Sequence, residues 1–110
     1  ELATAMQYDA RVIFLVINNG MYGTIRMHQE RSYPGRVAGT KLTNPDFAAL
    51  ARSYGLHGET VETTAQFADA FRRSEASGKP ALIEIRIDPE ALTVKMSLTQ
   101  IREQALRQQA

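Results

Sequence analysis

The chain has 110 residues, 44% of them hydrophobic and 23% charged, which leaves room for one small domain of ordinary globular composition and excludes a second independent one. Thirteen basic residues balance twelve acidic ones, so the formal net charge of +1 gives no electrostatic reason to expect nucleic acid or an anionic membrane as a partner. Cysteine is absent, which excludes disulfides, a thiolate nucleophile and cysteine ligands to a metal.

The sequence pattern predicts neither a membrane span nor an N-terminal signal. The longest apolar run, residues 12–17, is far shorter than the roughly 20 residues that a transmembrane helix needs, and no basic and apolar leader precedes it. We therefore expect a cytoplasmic protein. Because Glu1 leads directly into a helical pattern that has no N-cap, we also expect the chain to be part of a longer protein.

The first two predicted elements are a helix and a strand. Leu2, Ala5 and Met6 recur at helical spacing, so residues 1–9 are predicted to be the end of a helix. Residues 12–17 form a continuous β-branched and aromatic run, which predicts a strand that is buried on both faces of a parallel sheet. This strand ends at the turn Asn18-Asn19-Gly20.

The middle of the chain is predicted to contain two helices separated by a loop. A short helix over residues 22–30 precedes a stretch rich in proline and glycine, and we expect residues 22–43 to comprise this helix and a mobile loop. Asn44 is then predicted to cap a helix with Pro45 at its first position. Apolar residues at helical spacing continue to Tyr54, and Gly55 is predicted to end the helix.

The last third of the chain is predicted to form two strands and two capped helices. A brief strand over residues 59–61 leads to a helix that Thr63 and Gln66 cap as a capping box, and Ser97 with Gln100 marks the start of the final helix. The strand 81–87 between these helices alternates isoleucines with charged residues such as Glu84, so we expect it to lie nearer a sheet edge than the first strand.

This alternation of strands and helices predicts an α/β fold with a mostly parallel sheet and helices on both faces. In such sheets, ligands bind at the carboxyl ends of the strands, where the turn Asn18-Asn19-Gly20 lies. Asn-Gly after an apolar run is also a strong signal for a β-hairpin. The following residues 21–30 lack the alternation of a return strand, which favours a strand, a glycine turn and a helix whose N-terminus faces an anion.

Several segments of the sequence resemble one enzyme family in the family's own order. These segments are ELATA at 1–5, NNG at 18–20, NPDFAALA at 44–51 followed by Tyr54-Gly55, and PALIE at 80–84. The resemblance is to thiamine-diphosphate (ThDP) enzymes of the acetolactate synthase and benzoylformate decarboxylase type. It implies that the whole chain, residues 1–110, is the C-terminal part of the diphosphate-binding domain, with an incomplete ThDP-binding fold.

The resemblance also implies a site for ThDP and Mg²⁺. In this family a metal motif begins with Gly-Asp-Gly and ends in Asn-Asn, so Asn19 would bind Mg²⁺ through its side chain and Met21 through its main-chain carbonyl. Gly20, Tyr22 and Gly23 would complete the cofactor-binding turn along the diphosphate. The Gly-Asp-Gly half is absent and expected upstream of Glu1, and the family's activating glutamate belongs to a separate domain, so no catalytic residue is assigned in this chain.

The helix after the turn faces the substrate in this family. Acetolactate synthases commonly have Met at the position matching Thr24 and Trp at the position matching His28, whereas both residues here are polar. They are one helical turn apart and would share a face of the pocket. An ordinary, partly exposed helix residue is the alternative interpretation of His28.

The remaining charged residues are expected to be structural or solvated. Glu30 and Glu59 are interpreted as solvated or helix-end carboxylates. Arg26, Arg31 and Arg36 are interpreted as cations of a solvated loop, with a basic rim over a diphosphate or an acyl carboxylate as the alternative.

The functional hypothesis is that the longer protein decarboxylates 2-oxo acids, transfers the acyl unit, or does both, as a homo-oligomer that requires ThDP and Mg²⁺. The alternative is a non-catalytic α/β fragment, or a module for subunit association that retains only the fold.

Overall fold

The computed structural model describes all residues 1–110 as five helices and three strands. In chain order these are α1 (Leu2–Gln7), β1 (Ile13–Asn18), α2 (Gly23–Ser32), α3 (Phe47–Ser53), β2 (His57–Val61), α4 (Thr64–Ala76), β3 (Ala81–Arg86) and α5 (Leu98–Gln109). The chain divides into two compact units. The first comprises Glu1–Asn18 with Asn44–Arg86, and the second comprises Asn19–Thr43 with Ile87–Ala110. None of the helices combines the length and hydropathy that a membrane span requires.

The first unit contains an open, all-parallel sheet of three strands in the order β1-β3-β2. Its two core clusters lie on opposite faces, because successive residues of a strand point to opposite sides. Leu82 belongs to a cluster with Ala51 of α3, while Ile83 belongs to a cluster with Ala70 of α4. Met6 of α1 packs on the Leu82 side. The predicted α/β class, with a parallel sheet and helices on both faces, is confirmed.

The order of the strands reverses one sequence prediction. β3 is the central strand and is buried at its first four positions, whereas β1 lies at an edge and leaves 46% of Leu15 and 58% of Ile17 exposed. The expectation that β1 would be more central than β3 was therefore wrong. Glu84, whose charge had suggested an edge position for β3, is only 1% exposed, and neighbouring side chains supply its hydrogen bonds.

Most helix ends follow the predicted local signals. The capping boxes at Thr63 and Ser97 are both present, and Gly55 follows α3 with a left-handed φ of +88°. The predicted cap of α3 was wrong. The capping residue is Asp46, whose Oδ1 accepts a hydrogen bond of 2.8 Å from the amide of Ala49, while the Asn44 side chain binds elsewhere in the sheet unit.

The second unit contains α2, α5 and the loop that follows α2. Between residues 33 and 46 the loop contains no helix and only one bridging residue, Lys41. Hydrogen bonds fix it at several points, among them Gln29 Nε2 to the carbonyl of Ala38 at 2.6 Å and the amide of Gly35 to Glu30 Oε2 at 2.8 Å. The mobility of residues 22–43 stays a prediction.

Candidate cofactor-binding site

The turn after β1 has a defined backbone conformation. Gly20 has a φ of +70°, which is in the left-handed region that a residue with a side chain rarely adopts. Asn19 Oδ1 accepts a hydrogen bond of 3.2 Å from the amide of Met21, which closes a tight turn of the Asx type. Helix α2 then begins at Gly23. The chain therefore enters a helix after the turn, as predicted, and does not return as the second strand of a hairpin.

An antiparallel bridge holds the turn against the loop. Its two hydrogen bonds run from the amide of Tyr22 to the carbonyl of Thr40, at 2.8 Å, and from the amide of Leu42 to the carbonyl of Gly20, at 2.9 Å. The bridged residue Met21 lies between these bonds, so its own carbonyl takes no part in the bridge. The Met21 carbonyl is therefore left out of the backbone bridge, two residues after Asn19.

Gly23 packs tightly against the Asn19 side chain. A Cβ atom at position 23 would lie 2.6 Å from Asn19 Nδ2 and 3.0 Å from Leu92 Cδ2, and both distances are too short for an unshifted contact. Glycine at this position therefore lets the first turn of α2 approach the asparagine side chain. A larger residue at position 23 would displace the Asn19 side chain, so the orientation of Asn19 depends on this glycine.

A pocket of about 470 Å³ opens beside the turn. Asn19, Gly20 and Met21 line one part of it, and Arg26 and Lys41 contribute two cations. Amide and carbonyl oxygens are ligands that Mg²⁺ accepts, and cations favour a diphosphate. The donor set therefore fits one side of a metal–diphosphate site, although no three His, Asp or Glu side chains of the chain come together as a metal-binding group.

Glu30 is buried in the last turn of α2 and Arg26 is largely covered, so neither is solvated, whereas the interpretation of Glu30 as a helix-end carboxylate agrees with its position. The Arg26 side chain is 12% exposed and donates from Nη2 to Glu30, which is 1% exposed. Arg102 binds the same carboxylate through two hydrogen bonds of 2.8 and 2.7 Å. These bonds, first of all those from Arg102, lower the pKa of Glu30 to about 2 despite its burial. Glu30 is thus a charged structural residue that joins α2 to α5.

Glu59 is likewise not a solvated carboxylate. Arg73 binds it through three contacts between 2.6 and 3.2 Å, and His57 Nε2 lies 2.7 Å from its Oε1. The hydrogen bonds from Arg73, followed in importance by the bond with His57, lower the pKa of Glu59 against the opposing effect of burial. This cluster links β2 to α4 and belongs to the scaffold.

Thr24 and His28 lie on α2, one helical turn apart, and both are exposed. Neither lines the pocket beside Asn19. The structure therefore brings together the residues of the turn, Asn19 to Gly23, by local geometry, but it does not place the two predicted substrate residues in the same pocket. Their contact with substrate stays a prediction.

A polar cluster that sequence analysis did not identify lies at the carboxyl end of the sheet in the first unit. Glu84 accepts hydrogen bonds from Asn18 Nδ2 at 2.7 Å and from Thr60 Oγ1 at 3.2 Å. Asn18 Oδ1 in turn accepts a bond of 2.8 Å from Asn44 Nδ2. One signal could have identified Glu84, namely an acidic residue inside the apolar run of β3.

Comparison with known proteins assigns the chain to a family. Residues 1–85 match the family model described as the C-terminal TPP binding domain of thiamine pyrophosphate enzymes, thiamine pyrophosphate being another name for ThDP. The chain belongs to this family of ThDP enzymes. The match includes β1 and the turn 18–23, so Asn19 lies within the part of the chain that matches a cofactor-binding domain.

Acetolactate synthases are among the similar proteins. The chain is 30% identical to the mitochondrial acetolactate synthase catalytic subunit of Aspergillus candidus over 96 residues, which are 87% of the chain. It is 33% identical to a probable acetolactate synthase large subunit of Methanocaldococcus jannaschii over 84% of the chain. It is 34% identical to the acetolactate synthase large subunit of Cyanidium caldarium over 76% of the chain. The matched region spans only 14–16% of the length of these relatives. The chain is therefore a ThDP-binding domain like those of acetolactate synthases.

Proposed function

We propose that this chain supplies one side of the Mg²⁺ and diphosphate site of a larger ThDP enzyme. Asn19 would bind the metal through Oδ1 and Met21 through its main-chain carbonyl, and the turn Gly20–Gly23 would lie along the diphosphate. The observation that carries the proposal is the turn itself, in which the Asn19 side chain and the unbridged Met21 carbonyl follow directly after a parallel strand.

The two oxygens are neutral, so the metal needs further ligands. Mg²⁺ is usually bound through one or two carboxylates as well as substrate phosphates. The family resemblance attributes the carboxylate to a Gly-Asp-Gly segment that this sequence does not contain. We therefore propose that the chain by itself binds ThDP and Mg²⁺ weakly, and that the complete site forms only in the longer protein.

The proposed reaction is the decarboxylation of a 2-oxo acid, with release or transfer of its acyl unit, in a homo-oligomeric enzyme. Bound ThDP supplies the electron sink for this chemistry. The residues of this chain orient the cofactor through its diphosphate, and the cation Lys41 offsets part of the negative charge of the diphosphate. The cytoplasmic location inferred from the sequence stays a prediction.

A binding experiment on the full-length protein tests the proposed site. Titration calorimetry with ThDP, in the presence and absence of Mg²⁺, should show binding that depends on the metal. In Asn19→Ala this binding should weaken at least roughly tenfold, since the loss of even an outer partner of a metal ligand costs about 10–100-fold in affinity. Gln104→Ala, which removes an exposed amide of α5, is the control and should leave the affinity unchanged.

A different result would favour the second hypothesis. If the full-length protein binds no ThDP under any metal condition, the chain is a scaffold without the cofactor function of its family. The exposed Leu15 and Ile17 on β1 would then support a role in subunit association.

A further inference from the structure

We propose that Glu84 is a positioning residue for the metal-binding turn. It holds the side chain of Asn18, the residue that immediately precedes the proposed metal ligand Asn19. The inference rests on the proposed function, because it assigns to Glu84 the task of fixing the start of the turn that would bind Mg²⁺. Glu84 itself would not touch the metal.

The position of Glu84 in the sheet makes this role possible. Glu84 lies in the central strand β3 and pairs with Val16 of β1 on one side and with Thr60 of β2 on the other. One carboxylate oxygen accepts from Asn18 of β1, and the other accepts from Thr60 of β2. The carboxylate therefore joins all three strands at the carboxyl end of the sheet, where ligands bind in folds of this class.

The Asn18 side chain is held at both of its polar atoms. Its Nδ2 donates to Glu84 at 2.7 Å, and its Oδ1 accepts from Asn44 Nδ2 at 2.8 Å. The Asn18 nitrogen donates to Glu84 and the Asn18 oxygen accepts from Asn44, so the two partners together set which way the amide faces. This leaves one orientation for the side chain at the last residue of β1.

The chemistry of Glu84 is unusual for a purely structural core residue. Glu84 is 1% exposed, and its neighbours in β3 at positions 81–83 are apolar and equally buried. Its cationic contact is Arg86 Nε at 3.4 Å, on a side chain that is about half exposed. Burial of a carboxylate with mostly neutral partners costs more than burial of an apolar residue of similar size. Stability of the core therefore does not explain the carboxylate, whereas the positioning of Asn18 does.

The decisive variant is Glu84→Leu in the full-length protein. Leucine suits the apolar surroundings but leaves Asn18 Nδ2 and Thr60 Oγ1 without their acceptor, so the unfolding temperature should fall. The acceptor for Asn18 is lost, so the Mg²⁺ concentration that half-saturates ThDP binding should rise several-fold, less than after loss of a direct hydrogen-bond partner of a metal ligand, which costs about 10–100-fold. A merely structural role predicts lower thermal stability with unchanged Mg²⁺ dependence, so the Mg²⁺ dependence is the measurement that decides.

Conservative and control variants sharpen the test. In Glu84→Gln the side-chain carbonyl can still accept from Asn18, so the Mg²⁺ dependence should stay close to that of the wild type. Glu59→Gln alters a partly buried carboxylate of the same sheet, which binds Arg73 and not Asn18, and should leave Mg²⁺ dependence unchanged even if the unfolding temperature falls. Mg²⁺-dependent ThDP binding, followed by calorimetry, is the readout in each case.

A second route covers the case in which Glu84→Leu does not fold. Asn18→Ala removes the other half of the contact at the end of an edge strand, and should raise the half-saturating Mg²⁺ concentration in the same way. If both single variants fold, their combination should add nothing further, because both remove the same interaction. Unchanged Mg²⁺ dependence in Asn18→Ala or in a folded Glu84→Leu would overturn the positioning role alone. A wild-type protein without Mg²⁺-dependent ThDP binding would overturn the proposed function as well.

Discussion

Position 23 has room only for a hydrogen atom on the α-carbon. A Cβ at this position would displace the side chain of Asn19. The Oδ1 atom of Asn19 also accepts a hydrogen bond from the amide of Met21. Two local features, the tight contact with Gly23 and the hydrogen bond to Met21, thus fix the orientation of one asparagine. The sequence predicts that Asn19 lies in a glycine turn after β1, but only the structure identifies the contact with Gly23 that orients its side chain.

Gly23→Ala should therefore impair cofactor binding more than it impairs folding. The added methyl group forces Asn19 to move, so we expect Mg²⁺-dependent ThDP affinity to fall about tenfold, as when a ligand loses its outer partner. Gly35→Ala is the matched control. Its Cβ meets nothing within 4 Å but its φ is +75°, so it should cost roughly 1–2 kcal/mol of stability without changing ThDP affinity. Calorimetry and thermal unfolding of both variants would distinguish the two effects, and equal ThDP affinities would contradict the role of Gly23.

His28 carries a prediction about substrate choice. If His28 and Thr24 face the substrate, the pocket is more polar than that of an acetolactate synthase, and an apolar substrate would leave a buried polar group unpaired at a cost of about 1–3 kcal/mol. Larger polar 2-oxo acids should then be preferred over pyruvate. In the full-length protein, His28→Trp should shift kcat/KM toward pyruvate. An unchanged ratio between the two substrates would exclude His28 from the pocket.

At the scale of whole elements, the sequence predicts best those features, such as helix ends, that depend on residues close together in the chain. The capping boxes at Thr63 and Ser97 and the helix end at Gly55 depend on residues within one turn, and all three are confirmed. The order of the strands depends on pairing across the sheet. Glu84 was missed as a buried residue because its partners Asn18 and Thr60 are 66 and 24 positions away in the sequence.

The link between α2 and α5 gives a prediction that depends on pH. The pKa of Glu30 is lowered from 4.5 to about 2, chiefly by its hydrogen bonds with Arg102. A lowered carboxyl pKa contributes stability that is fully present above pH 4.5 and is lost as the pH falls toward 2. Glu30→Gln should therefore lower the free energy of unfolding by about 1–3 kcal/mol at pH 7, the cost of unsatisfied buried partners.

The difference between the wild type and Glu30→Gln should shrink as the pH falls from 4.5 toward 2. Denaturant unfolding at several pH values measures it. Glu103→Gln is the control, since Glu103 is exposed and lies 4.0 Å from Arg107 on the same helix. Its difference from the wild type should be small at every pH. A Glu30→Gln difference that does not vary with pH would contradict the assignment of a charged Glu30.

At the scale of the whole molecule, β1 is an edge strand that exposes apolar side chains. It pairs with β3 on one side only, and Leu15 and Ile17 are about half exposed on the same face of the strand. Edge strands with exposed apolar side chains favour association with other chains. The same strand leads directly into the turn that carries Asn19.

We predict that the isolated chain of 110 residues self-associates through β1. Sedimentation velocity should show a dimer or a larger species, because pairing of two copies would remove Leu15 and Ile17 from water. The double variant Leu15→Lys/Ile17→Lys places two charges on that face and should shift the population toward monomer. Leu106→Lys, which replaces an exposed leucine of α5, is the matched control and should not alter the association. A wild-type chain that stays monomeric at high concentration would show that the three-stranded sheet is stable in solution without a partner on β1.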